Sequence, residues 1–569
     1  MPEQANTLIG HIIDVSGSML TASLIEDEQG NTPKVTIGDE DILIGQIGSY
    51  VKIAQGDIKI LCILTRMSEQ EKLTPLTQGE TSAESVRLSY AQRIVNLVPI
   101  GSINEEGVFE RGVSTYPTTG AQVHAVGSGD IDIMFSKFRS KGYDVGTLSS
   151  HPTLSVCLDP TSLFGRHFTI LGQTGAGKSW TVANLIQRAV AVMPKAHIII
   201  LDLHGEYSWI GDDHVRHSAF SDEMYRYVDA RELEIPYWLM TYAELCDLLI
   251  DKTEFSAHNQ IAAFRDAVND LKAAEGKKLG LVRTTLDTPI FFDLIELRKI
   301  VESKNGMVPN AKKDGLKIGT LTGAFDNFLM RLDSRLDDVR YDFLLKPKKR
   351  TSSNTLAPML RDFVGLGDPT KPETKRPVTV IDLSSVPFDV RPTVAAQIGR
   401  LAFEFNYWNP QYRDFPLLLI CEEAHAYIPR ESQSQFSGSR KSMERIAKEG
   451  RKYGVGLGVV SQRPHEVSET VLSQCGTFLC LRITNPGDQS YVRSLVPEAE
   501  RDLVDILAGL GRGDALVLGE AVPLPTRLHF HKPSPPPNSE DIDFYNKWKD
   551  GPDDIDVDEI VNRWRRQER

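Results

Sequence analysis

The stretch that decides the fold covers residues 167–179 and has the sequence HFTILGQTGAGKS. Its last eight residues match the phosphate-loop pattern GxxxxGK[ST] in full. An apolar run precedes them, and the run that follows, WTVANLIQRAV, repeats apolar residues at helical spacing. Strand, glycine loop and helix in this order are the context that such a loop requires, so we predict a P-loop.

The chemistry of this loop predicts a nucleotide site. Glycines let successive backbone N–H groups face phosphates without a Cβ clash, and the helix N-terminus adds a positive dipole end. We expect Lys178 to neutralise the β- and γ-phosphates of ATP and Ser179 to hold Mg²⁺. The predicted nucleotide-binding residues are Gly172, Gln173, Thr174, Gly175, Ala176, Gly177, Lys178, Ser179 and Trp180.

A P-loop also needs an acidic residue at the end of a neighbouring strand, and residues 417–425, LLLICEEAH, supply two. Glu422 is predicted to face Mg²⁺ and Glu423 to polarise the attacking water. The alternative is an ordinary acid pair favoured by a helix N-terminus. Many P-loop proteins have Asp at the first position, and Glu422 is one methylene longer.

Three further residues follow or precede apolar runs. Asp202 ends the run HIIILD and is a candidate Mg²⁺ ligand, or it caps the next helix. Gln462 ends GLGVVSQ and is predicted to reach the γ-phosphate, or it makes a local turn bond. Arg451 in EGRKYG is a candidate arginine finger, which would enter the nucleotide site of a neighbouring subunit, or it lies at a solvated helix end.

Residues 429–452 are rich in basic side chains and contain a polar Gly/Ser stretch. Such a segment can bind DNA phosphates, or it can form a solvated charged face. The basic residues are Arg430, Arg440, Lys441, Arg445, Lys448, Arg451 and Lys452.

Hydrophobic patterning predicts an α/β fold with four segments. Residues 1–145 contain short alternating runs and are predicted to form a small β-barrel. Residues 146–212 and 376–532 contain near-continuous apolar runs, from SVCLD to TFLCLRI, which are typical of buried parallel strands. Residues 213–375 form a helical insertion, and residues 533–569 form an extended arm with a short helix.

Composition excludes several other classes. No apolar stretch approaches the roughly 20 residues that cross a bilayer, and the N-terminus lacks signal-peptide features, so we expect a cytoplasmic protein. The six cysteines form no CxxC pair and are expected to be buried thiols. The thirteen histidines show no HExxH spacing, and His529 and His531 are expected to decorate a strand. The net charge of −13 argues against a surface coated with nucleic acid.

Five motifs in order, RHFTILGQTGAGKS, IIILDLHGEY, VTVIDLSSV, LLLICEEAHAYIPR and EGRKYGVGLGVVSQRP, resemble the HerA family, of bacterial type, within the HerA/FtsK group of hexameric DNA-pumping ATPases. The resemblance spans residues 7–530. It implies a RecA-like core, an N-terminal barrel, and a homohexameric ring that hydrolyses ATP between subunits with double-stranded DNA in its central pore. It makes Glu423 the water-activating acid, Gln462 the sensor and Arg451 the arginine finger. Arg166 also matches a family arginine.

The resemblance implies a partner that docks on the barrel: a NurA-like nuclease in DNA repair, or a sirtuin-type or other effector in anti-phage defence. The chain would then be an ATP-dependent DNA translocase or helicase. The alternative is a scaffold in which ATP binding assembles the ring and activates the partner without translocation. A conjugative coupling ATPase is a weaker alternative, because it would need a membrane anchor.

Overall fold

A computed structural model of the chain describes residues 7–17, 19–26, 35–37, 40–42, 47–73, 89–211, 213–305, 307–309, 316–318, 321–430, 437–552 and 554–566. The chain divides into two compact units. The first contains Met1–Met193, Val460–His465 and Leu472–Ser534, and the second contains Pro194–Val459, Glu466–Val471 and Pro535–Arg569. The division of the chain into four segments at 145, 212, 375 and 532 stays a prediction.

Six antiparallel strands close into a small barrel in the first unit. Around the barrel they are Met19–Leu24, Leu8–Ser16, Gln122–Ala125, Tyr50–Gln55, Ile58–Leu73 and Ser89–Ile103, and the last pairs again with the first. Alternate residues such as Ile53, Leu97 and Val123 fill the interior. Closure pairs each strand on both sides, which protects it from edge-to-edge association. The predicted barrel is confirmed.

Two shorter elements accompany the barrel. Strand Phe109–Arg111 pairs with Ser89–Ile103. Strand Val35–Ile37 pairs with Glu40–Ile42 in a separate two-stranded sheet.

A second sheet of the first unit carries the glycine loop. Its strands lie in the order His151–Cys157, Asp144–Leu148, Thr526–Phe530, Asp514–Gly519, Thr477–Cys480 and Phe168–Leu171. The last two are parallel, and the other pairs are antiparallel.

The prediction that SVCLD forms a parallel strand is wrong. Two residues join its strand to the preceding one, and so short a connection allows only an antiparallel pair.

Five parallel strands form the centre of the second unit. In order they are Val455–Ser461, whose last two residues belong to the first unit, then Leu417–Cys421, Ile198–Asp202, Val378–Asp382 and Tyr225–Asp229. The three strands in the middle are buried along their whole length. This explains why their sequences are continuous apolar runs and lack alternation.

Helices surround these sheets. The first unit has Ser128–Arg139, Pro160–Gly165, Lys178–Val192 and Pro486–Leu495. The second has Arg391–Trp408 and Ser437–Glu449 beside its strands, and Ala230–Leu233, Tyr242–Leu249, Ala257–Lys278, Leu294–Lys304, Asp326–Asp337, Asp342–Leu345 and Leu356–Phe363 in the insertion. Short hairpins join Ser208–Ile210 to Arg216–Ser218 and Met307–Pro309 to Leu316–Ile318. The predicted fold class, an α/β RecA-like P-loop core with a barrel and a helical insertion, is confirmed.

In the described residues of the arm there are two helices, Phe544–Asp550 and Val557–Arg566. The backbone N–H of Asn538 donates to the carbonyl oxygen of Glu206 over 2.8 Å, which fixes the start of the arm within the second unit. All six cysteines are buried thiols. In the part of the chain that the structure describes, no helix has the length and apolar character needed to span a membrane.

Asn184 fixes the helix Lys178–Val192 to its sheet, because its buried amide donates to the carbonyl oxygens of Val145 and His531. We predict that Asn184→Leu lowers the apparent unfolding temperature by several degrees. Two buried carbonyls lose their donor, which costs about 1–3 kcal/mol. A thermal scan checks this result against Arg188→Leu, at an exposed position of the same helix. Equal losses in both variants would contradict the role of Asn184.

Candidate active site

The glycine loop of the first unit connects strand Phe168–Leu171 to helix Lys178–Val192. Gly175 and Gly177 have φ angles of 75° and 105°, which residues with a Cβ rarely adopt. A Cβ on Gly172 would lie 2.9 Å from the Cβ of Leu481. All three glycines are therefore required by the backbone path of the loop.

The conformation of the loop fits an anionic ligand such as a triphosphate. Left-handed glycines turn consecutive N–H groups toward one side, and the first turn of the helix adds further N–H groups. Lys178 and Ser179 are the first two residues of that helix, and Lys178 is largely buried. The structure thus brings the predicted phosphate-binding residues into one short arc.

Gln462 directly contacts the glycine loop. The hydroxyl of Thr174 donates to its Oε1 over 2.5 Å, although the two residues are 288 positions apart. The backbone N–H of Gly172 also donates to the carbonyl of Ser461, the residue before Gln462. Because this hydrogen bond joins residues that are far apart in the sequence, the alternative that Gln462 makes a local turn bond is not supported.

Two contacts of the loop carry no signal in the sequence. The Oε1 of Gln173 accepts hydrogen bonds from the backbone N–H and the hydroxyl of Thr484, at 3.2 and 2.6 Å. The guanidinium of Arg512 lies 5.5 Å from the ring of Trp180. The indole Nε1 of Trp180 is buried, and no atom of the described residues accepts a hydrogen bond from it.

Asp202 organises a turn in the second unit. Its carboxylate accepts hydrogen bonds from the backbone N–H groups of Gly205, Glu206 and Tyr207 at 2.8, 3.1 and 2.9 Å. Burial raises the pKa of Asp202 to about 7. The next element after Asp202 is strand Ser208–Ile210, so the alternative that Asp202 caps a helix is wrong. Its carboxylate instead holds the turn before that strand, and its oxygens already have several donors.

Glu422 is a buried carboxylate held by two tyrosines that the sequence analysis did not single out. The hydroxyl of Tyr207 donates to its Oε1, and the hydroxyl of Tyr427 donates to its backbone carbonyl over 2.8 Å. Burial, with the charges of Glu206, Glu423 and Asp202, raises the pKa of Glu422 to about 8. A carboxylate crowded by other acids is the environment in which a divalent cation is most favourable.

Glu423 lies just beyond strand Leu417–Cys421 in an unusual backbone conformation. Its φ angle of 45° is left-handed, which is costly for a residue with a side chain. Its Oε2 lies 3.2 Å from Nδ1 of His425. The alternative role as a helix-capping acid is not supported, because the helix after it has three residues and receives no cap bond from Glu423.

Strand direction separates Arg451 from the acids of its own chain. Arg451 is exposed in the turn Gly450–Tyr453, before strand Val455–Ser461. Glu422 and Glu423 follow strand Leu417–Cys421, which is parallel to it with Leu417 opposite Val455. Five residues of strand span about 16 Å. Arg451 and the acid pair therefore lie at opposite ends of the same strands.

Most basic residues of the stretch 429–452 have partners within the chain. Glu444 binds both Arg440, at 2.7 Å, and Lys448, at 3.8 Å. The guanidinium of Arg445 lies 4.2 Å from the ring of Phe403. These contacts favour the charged-face alternative for the helical part, and residues 431–436 of the polar stretch lie outside the described residues.

Other candidates have structural contacts. Arg166 forms an ion pair with Glu520. His529 and His531 bind the carboxylates of Asp514 and Asp144 at a strand end, as expected of strand decoration. Over the described ranges, no three His, Cys, Asp or Glu side chains form a set of metal ligands.

The chain is similar in sequence to known proteins. The model of the family described as Helicase HerA, central domain, matches residues 143–402. The DNA double-strand break repair helicase HerA of Pyrococcus furiosus is 29% identical over 420 residues, which cover 70% of this chain and 71% of that protein. The protein of the same name from Sulfolobus acidocaldarius is 27% identical over 455 residues, or 79% and 80% of the two chains.

Among solved structures, VirB4 of Thermoanaerobacter pseudethanolicus resembles the chain with a TM-score of 0.42 and 18% identity. The match covers 68% of this chain and 95% of that one.

We predict that Glu422→Gln stabilises the protein at alkaline pH. The folded-state pKa of about 8 lies above the ordinary value of 4.5, so folding retains a proton that the unfolded chain loses. The stability contributed by this group is full below pH 4.5 and is lost as the pH rises through 8. Glutamine still accepts the bond from Tyr207 but does not ionise.

Thermal unfolding without nucleotide or divalent cation, at pH 5 and at pH 8.5, tests this prediction. Glu422→Gln should gain several degrees over the wild type at the higher pH only. Glu469→Gln, at an exposed position, is the control and should follow the wild type. A Glu422 variant that follows the wild type at both pH values would show that the carboxyl titrates normally.

Proposed function

Because the chain belongs to the HerA family, we propose that it is an ATP-hydrolysing translocase and helicase that acts on double-stranded DNA. The relatives from Pyrococcus furiosus and Sulfolobus acidocaldarius are named as DNA double-strand break repair helicases. The observation that carries the proposal is the glycine loop, whose left-handed Gly175 and Gly177 precede Lys178 at the helix start.

In this proposal the loop binds ATP and Mg²⁺. Backbone N–H groups and the ammonium of Lys178 hold the phosphates, while Ser179 and Glu422 hold the cation. Bound Mg²⁺ neutralises phosphate charge. Trp180 borders the nucleotide, and Asp202 maintains the turn that carries Tyr207, in place of a direct metal contact.

Glu423 is proposed as the acid that orients and deprotonates the attacking water. Its backbone strain and its contact with His425 support this role, because strained residues with fixed side chains are frequent at catalytic positions. Gln462 is proposed to sense the γ-phosphate. Its bond to Thr174 links it to the loop, so loss of the phosphate would alter the strand that ends at Ser461.

Arg451 is proposed to act on the ATP of a neighbouring copy. Arg451 lies a full strand length away from Glu423 of the same chain. This separation supports a role for Arg451 at the site of another copy. The chain would then form a homohexameric ring with DNA in its central pore, and each site would need two subunits.

We also propose a role for each of the predicted segments. Residues 146–212 with 376–532 form the motor core, and residues 213–375 and 533–569 add the insertion and the arm. The barrel within residues 1–145 is proposed as the docking face for a partner, either a NurA-like nuclease or a sirtuin-type or other defence effector. The complex would process DNA ends in repair or act against phage.

We predict that the wild type has an ATPase rate that double-stranded DNA stimulates and that Lys178→Ala abolishes. Without the ammonium, phosphate charge is not neutralised. A coupled phosphate-release assay with and without linear duplex DNA provides the measurement, and Lys195→Ala, on an exposed loop, is the control. An ATPase rate that no DNA changes would count against a DNA motor.

We predict that mixing Lys178→Ala with Arg451→Ala restores ATPase activity that neither variant has alone. In a mixed ring, an intact loop from one variant meets an intact arginine from the other. Mixing Lys178→Ala with Glu423→Gln is the matched control and should restore nothing, because both changes affect the same side of the site. If neither mixture recovers activity, Arg451 does not act between copies.

Glu423→Gln separates the motor from the ATP-switched scaffold. The variant should bind ATP without hydrolysing it. A motor should lose DNA translocation in a strand-displacement assay together with hydrolysis. A variant that no longer hydrolyses ATP but still activates its partner fully would favour the scaffold.

A further inference from the structure

Four aromatic residues lie together on the surface of the second unit, before its central strands begin. Tyr407 and Trp408 end helix Arg391–Trp408, Tyr412 lies in the next loop, and Tyr453 precedes strand Val455–Ser461. Their ring centroids are 5.0 Å apart for Tyr407 and Trp408, 5.1 Å for Tyr407 and Tyr453, and 6.0 Å for Tyr412 and Tyr453. We call these four residues the aromatic face. Trp408 is 76% exposed.

The aromatic face is held rigidly from beneath. The buried amide of Asn406 donates to the carbonyl oxygens of Phe415 and Tyr453, at 2.9 and 3.1 Å. The ring of Phe403 contacts both Tyr407 and Tyr453, at 5.9 and 5.5 Å. Because these rings are already ordered, a partner that covers them pays little conformational entropy.

Exposed cations surround the aromatic face. The guanidinium of Arg413 lies 5.8 Å from the ring of Tyr412, and the ammonium of Lys452 lies 5.5 Å from the ring of Tyr453. Arg451 is the neighbour of Lys452 in the same turn. Trp, Tyr and Arg are the residues that dominate the centres of protein interfaces. The patch thus combines interface chemistry with three exposed cations, and the acids Asp414 and Glu449 are exposed in the same segments.

We propose that the aromatic face binds a second copy of this chain and that this contact positions Arg451 on that copy. The inference rests on the proposed function, because it assigns the surface that delivers the arginine. Tyr453 and Arg451 share one turn of four residues, so a partner that covers the ring also meets the guanidinium. A second copy has 77 Asp and Glu residues against 64 Lys and Arg residues, so it offers more carboxylates than cations to these basic side chains.

Single-stranded nucleic acid is the competing occupant, because bases also stack on exposed Trp and Tyr rings. The position of Arg451 favours a protein partner. A strand length of about 16 Å separates Arg451 from the acids of its own chain. Arg451 can therefore take part in hydrolysis only at the site of another copy. Trp408 and Arg413 are accordingly positioning residues.

The first experiment measures assembly. Light scattering over a dilution series of the full chain should show that Trp408→Ala raises the concentration for half assembly about tenfold or more. Phe255→Ala is the matched control, because Phe255 is a fully exposed ring of the insertion. Arg413→Glu should weaken assembly most at low salt. Circular dichroism verifies folding, and unchanged assembly of both variants of the aromatic face would overturn the proposal.

The second experiment compares ATPase rates at low and high protein concentration. Trp408→Ala should lose the rate at low concentration and regain it at high concentration. Arg451→Ala should assemble normally and stay inactive throughout. If Trp408→Ala instead assembles normally but loses affinity for a fluorescent oligothymidine, the aromatic face is a nucleic-acid surface and the proposal is overturned. Assembly through Trp408 in a chain that hydrolyses no ATP would refute the proposed function and the positioning of Arg451, and only the contact between copies would remain.

Discussion

The conformation of Gly175 and Gly177 is the constraint on which the candidate site depends. Both have left-handed backbones, so the chain reverses direction between a buried strand and a helix within a few residues. The N–H groups of Gln173 and Ala176 donate to carbonyl oxygens. The left-handed glycines turn the N–H groups beside them toward one side, where they can converge on an anion. Lys178 and Ser179 gain their positions from that turn, because they begin the helix that follows. Thr174 and Gln173 then connect the loop to Gln462 and Thr484, two distant residues of the same unit.

A second constraint is the cost of keeping carboxylates away from water. Asp202 is satisfied by backbone N–H groups, whereas Glu422 depends on the hydroxyl of Tyr207. The turn that Asp202 holds is the one that carries Tyr207, so the two acids share one piece of backbone. The raised pKa of Glu422 shows that these bonds do not fully offset burial. A cation bound in the same place would offset the rest.

The direction of the parallel strands has a further consequence for assembly. A parallel sheet gathers the residues that follow its strands at one edge and those that precede them at the other. Glu423 follows its strand, and Arg451 precedes the neighbouring one. If both act on one nucleotide, they must come from different copies, which makes hydrolysis depend on contact between subunits. The aromatic face around Tyr453 lies where such a contact is needed.

The sequence by itself determined the features that local rules govern. The spacing of Gly172, Gly177 and Lys178 predicts the loop, alternating runs predict the barrel, and continuous apolar runs predict the buried parallel strands. The hydrophobic pattern of SVCLD did not reveal the direction of its strand, because a buried strand has the same pattern in parallel and antiparallel pairs. The short connection before the strand determines that the pair is antiparallel.

Only the tertiary structure decided which distant side chains meet. Gln462 meets Thr174 across 288 positions, and Thr484 meets Gln173 across 311. That the carboxylate of Asp202 holds a turn, where the sequence offered a helix cap, also required the fold. Periodicity and backbone preference are encoded within a few residues, whereas a contact between remote side chains depends on how the strands that carry them pack, and no single segment contains that information.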